Sequence, residues 1–255
     1  MVRVDVLASG SSGNLTVIRS GRTKVLLDAG PSCKRILELF EQAGLDPASI
    51  DAVLISHEHS DHIGGLRVFL KKYPRPVFVS DLSAPYLGLE REAERLVQTM
   101  EPGEAMTIGH VSVTPFPVPH DAEQTFGFVF RAEGMKIGCA TDLGTYSADV
   151  VGHLKGANCL LLEFNHDLDM LHEGCYPQHL KIRIAGKLGH LSNGQGAKLL
   201  SKTITGETAG LFLMHLSREN NTPESAKLAA SACVSDKVVF FEVAGQYRPT
   251  RPWIG

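Results

Sequence analysis

The sequence predicts an α/β (α+β) protein built as a four-layer αββα sandwich, with one domain spanning residues 1–255. Two observations lead there. Segments of strand periodicity and of helical periodicity alternate along the chain, and the alternation runs twice, once in each half. No Pro/Ser-rich linker, low-complexity tract or block of like charge separates the halves, so two sheets are expected face to face with helices outside. At 255 residues and 43% hydrophobic, the chain can bury a core of ordinary size.

In the first half, Val2, Val4 and Val6 alternate with polar residues as a strand does, and LTVI and KVLLD follow across glycine-containing turns. Ile36, Leu37 and Phe40 mark one face of a helix. AVLIS is the next strand, and HIGGLRVFLKKY reads as a helix ending before Pro74, whose ring and missing N–H stop it. VFVS follows as a strand, LEREAERLVQ as a helix, and VSVTPFPV, TFGFVFR and KIGCAT as a meander. The pattern then recurs. Helix SADVVGHL leads to strand NCLLLEF, two helices span roughly 177–204, and strand GLFLMHL, helix TPESAKLAASAC and strand KVVFFEV complete the set. Periodicity leaves the strand order open.

Composition narrows the classes. No apolar run approaches the roughly 20 residues of a membrane span. The N-terminal MVRVDVLASGSSGN carries Arg3 and Asp5 inside its apolar stretch and reads as a first strand, not a secretory signal. Cys33, Cys139, Cys159, Cys175 and Cys233 form no CxxC pair and are odd in number, which fits buried thiols in a reducing cytosol; a cytoplasmic location is the expectation. The net charge of −3 announces no polyanionic partner. Its distribution says more. Between Glu173 and Glu207 no acidic residue occurs, while Lys181, Arg183, Lys187, Lys198 and Lys202 do, with His179 and His190 among them. Alone, such a run reads as a solvated helix face.

Directly after AVLIS come His57, Glu58, His59, Ser60, Asp61 and His62, with Gly64 and Gly65 close behind. If AVLIS is a buried strand, these residues lie on the loop where it emerges, and side chains there can converge without disturbing the core. His57 and His59 can chelate one ion, and Asp61 and His62 can turn toward a second beside it. The two glycines are expected to let the backbone turn tightly. Further donors stand where other strands end: His120 in PVPHD, Asp142 in CATDLG and His215 in LFLMHLSR. Each alone could be a local cap or turn residue. Together they complete a set, with His57, His59 and His120 on one ion, Asp61, His62 and His215 on the other, and Asp142 bridging. Imidazole and carboxylate without thiolate suit Zn²⁺, Mn²⁺ or Fe²⁺.

These residues resemble the metal-binding set of the metallo-β-lactamase fold superfamily, over essentially the whole chain. The resemblance implies that Asp28 in VLLDAG supports the metal-binding loop, its plain alternative being a turn residue. ASGSSGN, EFNHD, YPQHLKIRI and GHLSN resemble the YycJ/WalJ group of cytoplasmic bacterial proteins, which implies metal-dependent 5′-to-3′ exonucleolytic DNA hydrolysis linked to repair. LMHLSR and GHLSNGQGA are also similar to stretches of transfer-RNA 3′-processing endonucleases, but no segment is long enough for their protruding substrate arm.

Two adjacent divalent ions supply a nucleophilic hydroxide near neutrality and offset charge on a phosphodiester in an in-line displacement. They suit carboxyl thioesters too. The basic stretch beside His190 favours nucleic acid, because Lys and Arg contacts to phosphate supply most sequence-independent affinity, and the YycJ/WalJ resemblance implies DNA over RNA. Asp61 and His190 are the candidate catalytic residues, His190 as phosphate ligand or leaving-group acid, with a helix cap as its plain alternative. Ser192 and Asn193 at a predicted helix N-terminus, Lys181, Arg183, Asn165 and His166 are the candidate substrate contacts, although His166 could instead bond Asp167 or Asp169. SSGN lacks the GK[ST] of a nucleotide loop and reads as a tight hairpin near the metals. Two other functions fit the ligand set: a glyoxalase II-like thioesterase and a non-catalytic metal-binding regulatory module. The sequence leaves the oligomeric state open.

Overall fold

The computed structural model describes residues 1–234, 236 and 238–255. Its strands, in chain order, are β1 (Val2–Ala8), β2 (Leu15–Ser20), β3 (Thr23–Leu27), β4 (Ala52–Leu54), β5 (Val77–Val79), β6 (Val97–Thr99), β7 (Met106–Ile108), β8 (Val111–Val118), β9 (Thr125–Ala132), β10 (Met135–Ala140), β11 (Cys159–Glu163), β12 (Gly210–Met214), β13 (Phe240–Val243) and β14 (Trp253–Ile254). The helices are α1 (Cys33–Gln42), α2 (Ser60–Ile63), α3 (Leu66–Lys72), α4 (Arg91–Glu94), α5 (Ala148–Leu154), α6 (Leu168–Glu173), α7 (Gln178–Ile184), α8 (Asn193–Thr203) and α9 (Pro223–Ser231).

The first six strands and the C-terminal β14 form one sheet in the order β14-β1-β2-β3-β4-β5-β6, and β7 to β13 form another in the order β13-β12-β11-β10-β9-β8-β7. The period-2 pattern decides which side chains meet between them. Val2, Val4 and Val6 from β1 and Phe126, Phe128 and Phe130 from β9 point into the shared seam, where Leu161 and Phe212 join them. The opposite faces are covered separately. Leu7, Val17 and Leu26 pack against Ile36, Leu39 and Phe40 of α1 and Phe69 of α3, while Leu160, Leu162, Leu211 and Leu213 pack against Val150 of α5, Leu199 of α8 and Ala226 of α9. The result is the αββα sandwich the alternation predicted. Strands β10 to β13 run parallel and are covered on both faces, which explains why CLLLE and GLFLM are continuously buried.

Several elements differ from the periodicity. LEREAERLVQ yields only the single turn α4 before Val97–Thr99 joins β5 as a parallel strand, so sheet pairing overrides helical propensity. HIGGLRVFLKKY is split into α2 and α3 at Gly64 and Gly65. Both glycines have ordinary right-handed backbone angles, so the turn does not need them. Close approach does: a Cβ at Gly65 would lie 2.1 Å from the Pro31 carbonyl oxygen. Strands β7 and β14 and helix α6 lack a sequence signal of their own. The last predicted strand begins at Lys237, outside the described residues, and is observed from Phe240. No described helix is long and apolar enough to cross a membrane.

Candidate metal centre

Parallel pairing sets where the donors converge. Strands β3 and β4 are parallel, as are β10, β11 and β12, and β8 shares the direction of β10 because each is antiparallel to β9. Asp28, His57, His120, Asp142 and His215 follow the carboxyl ends of β3, β4, β8, β10 and β12 within a few residues, and ligands of open sheets bind at such ends. The hairpin of residues 9–14 closes over the same edge.

Three adjoining groups of donors result among the described residues, the third being Asp142, Glu163, His190 and His215. In the first, one nitrogen each of His57, His59 and His120 lies within 4.8 Å of the others. The ring centroids of His57 and His59 are 4.6 Å apart, and His120 lies 5.1 and 5.0 Å from them. Ser56 Oγ bonds His57 Nδ1 at 3.1 Å, which leaves Nε2 buried without a partner. Burial and the neighbouring His62 hold the His57 ring well below its ordinary pKa, a neutral donor. His120 donates Nδ1–H to the Gly189 carbonyl at 3.1 Å, freeing Nε2.

The second group holds Asp61, His62, Asp142 and His215. His62 Nδ1–H donates to Asp28 Oδ2 at 2.8 Å, and its Nε2 lies 3.3 Å from Asp142 Oδ2 and 3.6 Å from Asp61 Oδ2. His215 Nε2 stands 3.5 Å from Asp61 Oδ2. Asp142 Oδ2 and His215 Nε2 are buried and have no hydrogen-bond partner among the described residues. Burial alone would lower the pKa of both histidines. Asp28 and Asp142 nevertheless hold His62 well above its usual value, and Asp142, Asp61 and Glu163 hold His215 at about 10. In the metal-free chain, protons on these rings thus supply the positive charge the buried carboxylates demand. A divalent cation supplies the same charge, and the orphaned donor atoms match its imidazole and carboxylate chemistry.

A residue without a sequence assignment organises the rim. Glu163, the last residue of β11, is fully buried. Its Oε1 accepts from His190 Nδ1 at 2.8 Å and His215 Nδ1 at 3.1 Å, and its Oε2 accepts from the Leu143 and Leu191 amides. Burial would raise its pKa, but His190 and His215 outweigh it and hold the carboxyl at about 2. His190, with a side chain 21% exposed, keeps Nε2 for a ligand. Its ring centroid is 5.1 Å from those of His120 and His215. An acid ending a buried apolar strand was the available signal for Glu163. Asn14 Nδ2, 3.0 Å from His62 Nε2, was hidden in the hairpin.

Backbone strain concentrates here. Asp28, Asp142 and His215 adopt left-handed φ values of 61°, 58° and 57°. His215 is clamped on both sides, since its N–H donates to Ser9 Oγ and its carbonyl accepts from Asn165 Nδ2.

The structure departs from the sequence reading at the substrate contacts. Asn165, His166, Ser192 and Asn193 are all buried. Asn165 serves the His215 carbonyl, and His166 Nδ1 lies 3.3 Å from Asn165 Oδ1, not against Asp167 or Asp169. Asn193 Nδ2 donates to Asn221 and Ser225. Ser192 and Gln195 form a capping box, and the Asn193 amide donates to the His166 carbonyl, so the α8 N-terminus spends its donors internally. Lys181 and Arg183, two positions apart on α7, face different ways. Lys181 Nζ reaches the His172 carbonyl in the last turn of α6, whereas Arg183 Nε donates to Asp121 at 2.5 Å, next to His120.

A double-sheet sandwich with histidine and aspartate clusters where its strands end is the arrangement of the metallo-β-lactamase fold. The chain belongs to the β-lactamase superfamily, whose domain model, described as "Beta-lactamase superfamily domain", matches residues 23–215. It is 36% identical over 236 residues to Exodeoxyribonuclease YycJ of Bacillus anthracis, covering 91% of this chain and 89% of that one. Exodeoxyribonuclease WalJ of Streptococcus pneumoniae is 36% identical over 232 residues, 89% and 86% of the respective chains. The metallo-β-lactamase fold protein YhfI from Bacillus subtilis superposes with a TM-score of 0.75 at 18% identity, over 100% of this chain and 99% of its own, and so shares the fold.

Proposed function

We propose that this chain is a dinuclear metal-dependent phosphodiesterase that degrades DNA from the 5′ end. The observation that carries the reading is the set of buried donor atoms without partners, His57 Nε2, Asp142 Oδ2 and His215 Nε2, in a chain 36% identical to named exodeoxyribonucleases. His57, His59 and His120 would hold one ion and Asp61, His62 and His215 the other, with Asp142 between them. Because the set draws on both sheets, we read the whole chain as one domain.

When bound, two such ions acidify a shared water and offset negative charge at phosphorus. The chain's own groups do the rest. Asp28 and Ser56 fix His62 and His57 in the orientation a metal requires. Glu163 does the same for His215, and it turns His190 so that Nε2 can bind a phosphate oxygen or hold the proton that passes to the leaving oxygen. Asp61 would add its carboxylate to the groups that hold the second ion. Arg183, at the rim beside Asp121, can exchange its exposed ion pair for a phosphate.

The test is product length over time on end-labelled single- and double-stranded DNA and RNA, using protein loaded with Zn²⁺ or Mn²⁺. Successive shortening of DNA from the 5′ end is expected. Intact nucleic acid beside hydrolysis of a glutathione thioester would replace this reading with a thioesterase.

A further inference from the structure

Next to His215, and so beside the candidate metal centre, lies a cavity of about 480 Å³. Leu216, Val243 and Pro223 make its apolar wall, and Arg218 and Tyr247 stand at its mouth. Two segments line it, 216–227 and 242–247, and the 9–14 hairpin ties both to the centre. Leu216 and Arg218 follow His215 directly. The 9–14 hairpin contributes Ser9, which accepts from the His215 amide, and Asn14, which touches His62. The 244–250 segment is tied to both: the Ser9 amide donates to the Gly245 carbonyl at 3.0 Å, and Gln246 Nε2 donates to the Leu216 carbonyl at 3.0 Å.

The groups at the mouth have a common chemistry. Tyr247 is 48% exposed, which is high for a large aromatic ring. Its hydroxyl is held by Ser12 Oγ at 3.0 Å and Arg218 Nη1 at 3.3 Å, and Arg35 donates to its carbonyl, so the ring is fixed while part of it stays open. Arg218, its side chain 70% exposed, has only a loose 3.8 Å pairing with Glu219, which a phosphate can displace. Glu242, the acidic residue in the lining, is paired with Arg251 at 2.9 Å. Ser12, which holds the Tyr247 hydroxyl, and Asn14, which touches His62, are two positions apart, so their Cα atoms lie within about 7 Å.

A fixed aromatic ring beside an exposed guanidinium, over an apolar wall of nucleotide size, suits a base stacked on the ring with its phosphate on the cation. We propose that this cavity is a nucleotide subsite, in which Tyr247 stacks the base adjoining the metal centre and Arg218 binds that nucleotide's phosphate. The inference rests on the nuclease reading above and adds the position of the strand to it.

Holoenzyme kinetics on single-stranded DNA test it. Tyr247→Ala should raise KM roughly 5- to 150-fold, the range for one lost base stack, far more than it lowers kcat. Tyr247→Phe keeps the ring and loses the hydroxyl bonds, so it should stay close to wild type; a purely structural tyrosine would fail in both. Arg218→Ala, measured for binding on a metal-loaded His190→Ala background, should reduce the slope of log K against log salt by about 1. If Tyr247→Ala loses metal or fold, Arg218→Ala decides by the same slope and by KM. Wild-type KM and slope in these variants, with DNA still degraded, overturn the subsite and leave the nuclease reading standing. DNA left intact by the wild-type holoenzyme overturns both.

Discussion

Glu163 Oε1 accepts a 2.8 Å hydrogen bond from His190 Nδ1, and the same oxygen accepts from His215. One buried carboxylate therefore orients both a candidate metal ligand and the candidate proton carrier. Glu163→Gln keeps the shape and replaces an acceptor by an amide. Partners of metal-binding histidines are typically worth 10- to 100-fold in affinity or activity, so turnover should fall by about that factor. Metal content and kcat, measured together, separate the two effects, since a kcat loss at full occupancy points to His190.

Asp142, which the proposed centre places between its ions, should matter more. The wild-type chain is expected to bind two divalent ions, and elemental analysis at saturation giving one would remove the dinuclear reading. Asp142→Asn should cost more than about 100-fold in turnover while far-ultraviolet circular dichroism stays native. Wild-type turnover in that variant would exclude Asp142 from the centre.

Gly144 follows Asp142 by two residues, and a Cβ there would meet the Gly186 oxygen at 2.4 Å and the Gly189 nitrogen at 2.5 Å. Backbone cannot yield cheaply, so Gly144→Ala should push aside the 186–190 segment that carries His190 and bonds His120. A loss of about 1–3 kcal/mol in stability with weakened metal affinity is expected, read from urea midpoints with and without chelator. An unchanged metal affinity would show that the segment does not hold the centre in place.

His166 gives the pH dependence a sign. Burial holds this ring neutral down to about 4, whereas the unfolded chain takes up the proton near 6.5. The stability that depends on the neutral ring is therefore complete above about 6.5 and is lost as pH falls toward 4, by roughly 3 kcal/mol at most. His166→Gln removes the titration. Its metal-free stability should fall less than that of wild type between neutral pH and pH ~4.5; equal falls would show that His166 does not drive the acid limb.

The centre was legible where chemistry and topology coincide. His57, His59, Asp61 and His62 follow a strand of buried apolar residues, and His120, Asp142 and His215 end other such strands, so residue type and position pointed the same way. Glu163 was not legible as an organiser, because only the parallel register with β12 brings it beside His215. Ser192 and Gln195 carry a capping-box signature, yet their sequence cannot say whether the helix start faces solvent or a neighbouring loop. Helix α4 falls short of its predicted length because pairing with β5, distant in sequence, captures Val97–Thr99.

The donors are divided between the two sheets: the first supplies His57, His59, Asp61 and His62, the second His120, Asp142 and His215. Neither sheet alone presents a complete set, so ion capture and docking of the two sheets would be thermodynamically one event. A bound ion is then a rivet across the seam. Amide protons of β1 and β9, which line that seam, should exchange more slowly when metal is present, and protease resistance should rise with them. Metal scarcity would silence such an enzyme twice, by emptying its chemistry and by loosening the joint that keeps the chain from degradation.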